Sequence, residues 1–142
     1  MDNIQKLKSR IKKNEGFRNT SYKDQIGNLT IGYGHLIKKK DKIKINKKYT
    51  KKHLSHLFEE DFKQAFVDFK KKYSKFRFSK NIENVIIEMI FQLGIKKTLK
   101  FKKFNKHLKR KEIHMASLEM LDSLWYKQTP NRINGHIKNF LE

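Results

Sequence analysis

The chain has 142 residues, 37% hydrophobic and 12% aromatic, with no cysteine and a formal net charge of +21. That apolar content suits one domain with a genuine core and excludes a disordered polycation, while the missing cysteine excludes a disulfide framework, a thiolate nucleophile and a cysteine-based zinc site. Thirty-five Lys and Arg against fourteen Asp and Glu predict attraction to polyanions, yet Lys outnumbers Arg heavily, which suits a solvated, generally sticky surface better than a base-reading face.

The amino terminus lacks the apolar stretch of a signal peptide, and no run approaches membrane-spanning length. Asp2 with Gln5 has the form of a capping box, and Ile4, Leu7 and Ile11 follow helical spacing, so a first helix is expected. Gly16 is placed to end it in a left-handed conformation. Glu15 then falls in the last turn, where the negative end of the macrodipole disfavours a carboxylate and favours the protonated acid.

Residues 17–37 lose helical periodicity and gain Gly, Thr, Tyr and Ile, with turn residues at Asp24-Gln25-Ile26-Gly27-Asn28. They read as a small antiparallel sheet of two or three strands. Residues 38–49 read as a basic connection, either a short strand or a loop around Ile43 and Ile45. Thr50 can cap a long helix in which Leu54, Leu57, Phe58, Phe62, Ala65, Phe66, Phe69, Tyr73 and Phe76 repeat at three and four. Ser79 opens a second buried helix through Ile82, Val85, Ile86, Met89, Ile90 and Leu93, closed by Gly94. Shorter helices are expected around 99–109 and 112–123, and Thr129-Pro130 begins a terminal one with Thr129 as N-cap. The expected fold class is α+β, mostly α. A small antiparallel β-lobe (17–48) is inserted after the first helix in a single domain, 1–142, whose helical lobe takes in 1–16 and 50–142.

Several chemistries lack their residues. His53 and His56 lie one turn apart with only Glu60 nearby, too few ligands for a metal, and no cofactor motif is present. Gly32-Tyr33-Gly34-His35 lacks the Lys-Ser/Thr of a phosphate loop. Glu15, Asp24 and Thr30 are different: a carboxyl ending a helix, a second in the next turn and a hydroxyl on the following strand can converge on one cleft. Two carboxyls and a water-holding group are what glycoside hydrolysis needs. Spacing alone does not separate that from a polar turn with incidental acids.

The neighbouring residues supply more. Tyr22-Lys23-Asp24, Leu29-Thr30-Ile31-Gly32-Tyr33-Gly34-His35-Leu36, Leu57-Phe58-Glu59-Glu60-Asp61, Met89-Ile90-Phe91-Gln92-Leu93-Gly94 and Trp125-Tyr126-Lys127-Gln128-Thr129-Pro130-Asn131-Arg132 together resemble the signature of the phage-type lysozymes, the T-even phage muramidase family. In that family an acid ends the first helix, an Asp follows nine residues later and a Thr six after that, as at Glu15, Asp24 and Thr30. The resemblance implies a lysozyme-like fold with a long spine helix and a helical C-terminal lobe. It implies a muramidase that cleaves the bond from N-acetylmuramic acid to N-acetylglucosamine in peptidoglycan, with inversion. Glu15 is then the general acid, Asp24 supports the opposite side and Thr30 holds the attacking water.

By the same resemblance Leu36, Phe91 and Gln92 contact saccharide, Arg132 approaches Glu15, and His35 pairs with Asp61. The 99–121 region matches poorly, and Phe104 and Glu119 receive no binding role. The implied setting is a monomer that lyses a host bacterium, held in the cytoplasm until a separate holin-like lesion releases it. Its partners are peptidoglycan and, non-specifically, anionic envelope polymers, with no specific nucleic acid. The competing reading is a non-enzymatic binder of nucleic acid or membrane.

Overall fold

A computed structural model describes residues 2–142. Its elements run α1 (Asn3–Glu15), β1 (Arg18–Lys23), β2 (Leu29–Gly32), β3 (His35–Leu36), α2 (Lys51–Lys72), α3 (Lys80–Leu93), α4 (Ile95–Lys100), α5 (Lys102–Lys109), α6 (Ile113–Leu121), α7 (Leu124–Gln128) and α8 (Pro130–Leu141). The class is α+β and mostly α, with one antiparallel sheet in the order β1-β2-β3. The chain divides into two units, residues 1–64 and 65–142, and α2 contributes its first part to one and its last part to the other.

In the first unit α1 forms as its spacing predicts. The Asp2 carboxylate accepts the Gln5 amide at 2.8 Å, and Leu7 and Ile11 are buried. Gly16 ends the helix at φ +72 and ψ 177, so its φ is positive but it lies outside the left-handed helical region. The sheet is pinned by Ile31, which packs with Leu54 and Leu57 of α2 while Ile37, Ile43 and Tyr49 close over the edge. Thr50 Oγ1 accepts the His53 amide at 3.1 Å and starts α2. The third strand is His35–Leu36, and the segment around Ile43 and Ile45 is loop.

Every regular element of the second unit is a helix among the described residues. α2 stops at Lys72, four residues short of the Phe76 expected to close its stripe. Phe76 lies instead in a 3₁₀ turn, after which Arg77 takes a left-handed conformation at φ 53. α3 follows the Ser79 cap and buries eight residues, Ile82 and the unbroken run from Asn84 to Ile90. The expected helix at 99–109 is two: the chain bends at Phe101, where the buried Asn105 Nδ2 donates to the carbonyls of Thr98 (2.9 Å) and Phe101 (2.8 Å). Thr129 does not cap α8. Its hydroxyl turns back to the Trp125 carbonyl at 3.1 Å, closing α7, while Pro130 holds the first helical position.

Candidate active site

Glu15 is the last residue of α1 and half-buried. The turn between β2 and β3 comes up against it. A Cβ on Gly34 would fall on the Glu15 side chain, 2.7 Å from its carboxyl carbon, and Gly34 has φ +71. Only glycine meets both conditions, so the backbone of Gly34 is the surface on which the carboxylate rests. Aromatic packing holds the turn there: Tyr33 lies 4.9 Å from Phe17 and 5.6 Å from Phe58 between ring centroids, and Lys12 Nζ sits 5.2 Å from the Tyr33 ring.

Asp24 opens the turn between β1 and β2. Its Oδ1 accepts the amides of Ile26 (3.0 Å) and Asn28 (2.8 Å), an arrangement that rigidifies the turn through one carboxylate oxygen. The Asn28 carbonyl accepts both the Asp24 amide and the Thr30 hydroxyl, each at 2.9 Å. Asn28 therefore couples Asp24 to Thr30 directly. With its hydrogen committed to that carbonyl, the Thr30 oxygen meets any further partner as an acceptor.

The ladder arranges the rest. Thr30 is opposite Tyr22 on one side and Leu36 on the other, so the three side chains share one face, and Ile31 with His35 takes the face toward α2. Burial raises the pKa of the Tyr22 hydroxyl, and the charges of Glu15 and Asp24 raise it further against the opposing pull of Arg18. Tyr22 thus feels both carboxylates. Leu36 is exposed.

His35 is buried with both ring nitrogens engaged: Nδ1 lies 2.7 Å from Asp61 and Nε2 2.8 Å from Asp41. The Asp61 pair is the expected one. Asp41 is an addition, held also by the Lys38 amide at 2.7 Å. Two carboxylate partners call for an imidazolium, which carries a hydrogen on each nitrogen. Burial pushes the His35 pKa down, but the hydrogen bonds to Asp61 and Asp41 outweigh it and the net shift is upward. Asp41 is likewise pushed up by burial and brought below its ordinary value by His35 and Lys38.

The stabilisation from His35 is complete below its ordinary value of 6.5 and is lost as pH rises through its raised folded value. That from Asp41 is present above its ordinary 3.8 and is lost as pH falls through its depressed value. The cluster therefore stabilises most between about pH 4 and 6.5. His35→Asn is expected to cost about 3 kcal/mol, because it leaves the Asp41 carboxylate buried without its cation. Thermal melts at pH 6 should show Tm lower by about 10 °C, a gap that narrows above neutral pH. A thermally silent variant would refute the role.

In the second unit Phe91 and Gln92 lie in the last turn of α3, both half-buried, and Gln92 Oε1 is buried with no hydrogen-bond partner among the described residues. Arg132 Nη2 donates to Glu88 Oε2 at 3.3 Å, with His136 Nε2 3.7 Å from that oxygen and Glu88 wholly inside. Trp125 is buried beside His136 and Phe101, as a core residue. Phe104 is also core, packed on Phe140. His56 pairs with Glu60 at 2.7 Å, while His53 stacks on Tyr49.

Gly34, Tyr22, Asn28 and Asp41 were not among the residues expected to serve the site. The two glycines around Tyr33 were the available signal for Gly34, since paired glycines mark a close backbone approach as well as a turn.

The family model for phage lysozyme matches residues 12–139. The chain belongs to the phage lysozyme family. Two relatives from Dictyostelium discoideum, probable T4-type lysozyme 1 and probable T4-type lysozyme 2, are each 32% identical to it. The first match covers 92% of this chain and 91% of the relative, the second 96% and 94%. Membership makes this lysozyme-family chain a glycoside hydrolase.

Proposed function

We propose that the chain cleaves the β-1,4 bond between N-acetylmuramic acid and N-acetylglucosamine in bacterial peptidoglycan, with inversion at the anomeric carbon, as a wall-lysing enzyme. The observation that carries the reading is the seating of Glu15 on Gly34 in the unit where Asn28 joins Asp24 to Thr30. In this reading Glu15 gives its proton to the glycosidic oxygen as the bond to the anomeric carbon breaks. Water attacks that carbon from the other face and releases a proton toward Asp24. The Thr30 oxygen accepts a hydrogen from the same water and so aims its lone pair at the carbon. Inversion needs space for that water, with carboxyls roughly 6.5–9.5 Å apart.

Leu36 extends the Tyr22–Thr30 row with apolar surface suited to a sugar face. Phe91 and Gln92 are assigned saccharide contacts, and the Gln92 acceptor suits an amide N–H such as that of an acetamido group. His35 with Asp61, and Arg132, are assigned supporting roles.

Digestion of purified wall, followed by mass analysis and proton NMR of the new reducing ends, tests the reading. Muramic acid ends formed first as the α anomer are expected. Glucosamine ends would overturn the bond assignment, and an initial β anomer would overturn inversion. Thr30→Val keeps the shape and loses the hydroxyl, so kcat should fall about 100-fold with little change in KM. Thr30→Ser should retain most activity, and equal rates for the two would remove Thr30 from the mechanism.

A further inference from the structure

The positive charge is not spread evenly. Between Ile95 and Lys111 the sequence holds nine Lys and Arg and no Asp or Glu. α4 and α5 fold this stretch around a concavity of about 370 Å³ lined by Leu99, Lys102, Asn105, Lys106, Lys109 and Arg110. Lys102, Lys106 and Lys109 follow one another at helical spacing along α5, a row about 10 Å long. None of the four cations of the groove has an acidic partner among the described residues, and all four are exposed. Like charges brought together without counter-charges repel, so the arrangement is poor for stability and favourable for an anion.

The floor of the groove is rigid. Asn105 is buried, and besides donating to Thr98 and Phe101 its Oδ1 accepts the Tyr73 hydroxyl at 2.6 Å. Burial drives the Tyr73 hydroxyl up to about 12, so it remains a donor and keeps that lock closed. Binding there would not have to order the helices that carry the charges.

We propose that the α4–α5 groove of this chain is a docking site for a phosphodiester-linked polyol polymer of the bacterial envelope. The inference rests on the wall-directed reading above. A row of cations matches a polymer carrying a full negative charge at every repeat, and lysine neutralises phosphate as a point charge. Nucleic acid fits less well, because no aromatic side chain lines the groove to stack a base. A membrane also fits less well, because the surface is concave and exposes a single leucine. The apolar Leu99 suits the short carbon chain between phosphates.

Binding is measured in a Glu15→Gln background, so that the wall is not consumed. Co-sedimentation uses phosphate-bearing walls and the same walls stripped of polymer by hydrofluoric acid. The Lys102→Gln/Lys106→Gln/Lys109→Gln variant is compared with Lys63→Gln/Lys71→Gln/Lys72→Gln, which loses the same charge elsewhere. The groove variant is expected to lose about tenfold or more in affinity for phosphate-bearing walls and none for stripped walls. Its slope of log affinity against log salt should shrink by about two. Arginine at the three groove positions should restore binding.

Equal losses in both variants would overturn the proposal in favour of bulk charge. Retained wall binding with loss of oligonucleotide or anionic-vesicle binding would overturn it in favour of those partners. Hydrolysis of stripped walls by the chain with Glu15 intact tests the wall-cutting reading separately, since it requires no polymer.

Discussion

Glu15→Gln is expected to lower kcat on peptidoglycan by about 10²–10⁴-fold while leaving the fold intact. The amide has the shape of the acid and fits the same place on the Gly34 backbone. It cannot deliver a proton to a leaving alkoxide at useful rate, which is the difficult part of breaking a glycoside. At the carboxyl end of α1 the neutral amide is no worse for the macrodipole than a carboxylate, so Tm should hold or rise slightly, by about 0.5 kcal/mol in stability. Turbidity clearing of permeabilised cells, a thermal melt and wall co-sedimentation together check this. Clearing that survives the substitution and is abolished by salt would establish the competing reading, a basic polymer that acts by binding alone.

Gly34→Ala should be nearly as damaging, for a different reason. The new methyl group would occupy the place of the Glu15 carboxylate, and a left-handed φ costs a non-glycine residue about 1–2 kcal/mol. Gly27→Ala is the matched control: φ is +87 there, and a Cβ would meet nothing within 4 Å. Both variants should lose similar stability from backbone strain. Only Gly34→Ala should lose activity, by about 100-fold, because a general acid moved by an ångström no longer reaches its oxygen. Equal activity in the two variants would show that the seat of Glu15 does not matter to the chemistry.

The helices were legible where apolar residues recur at three and four. α1, α2 and α3 lie where their buried stripes place them, and the Asp2, Thr50 and Ser79 caps each accept an amide three residues on. Reading failed where a tertiary partner competed with a local rule. Thr129 has the form of an N-cap, yet its hydroxyl is taken by the Trp125 carbonyl. A helix was expected around 99–109, yet the chain bends at Phe101, where Asn105 Nδ2 donates to the Thr98 and Phe101 carbonyls. His35 was legible as a partner of Asp61, but not as the bridge to Asp41, which depends on how the 39–41 turn folds over the ring.

By itself the sequence determined the helical periodicities, the absence of cysteine, the excess of lysine, and the order and spacing of Glu15, Asp24 and Thr30, because these are properties of a string. The tertiary structure decided which backbone Glu15 rests on, which carbonyl takes the Thr30 hydrogen, and which lysines share a groove. Such contacts join residues whose spacing along the chain says nothing of their distance in space, and they exist only once packing has selected one arrangement among many.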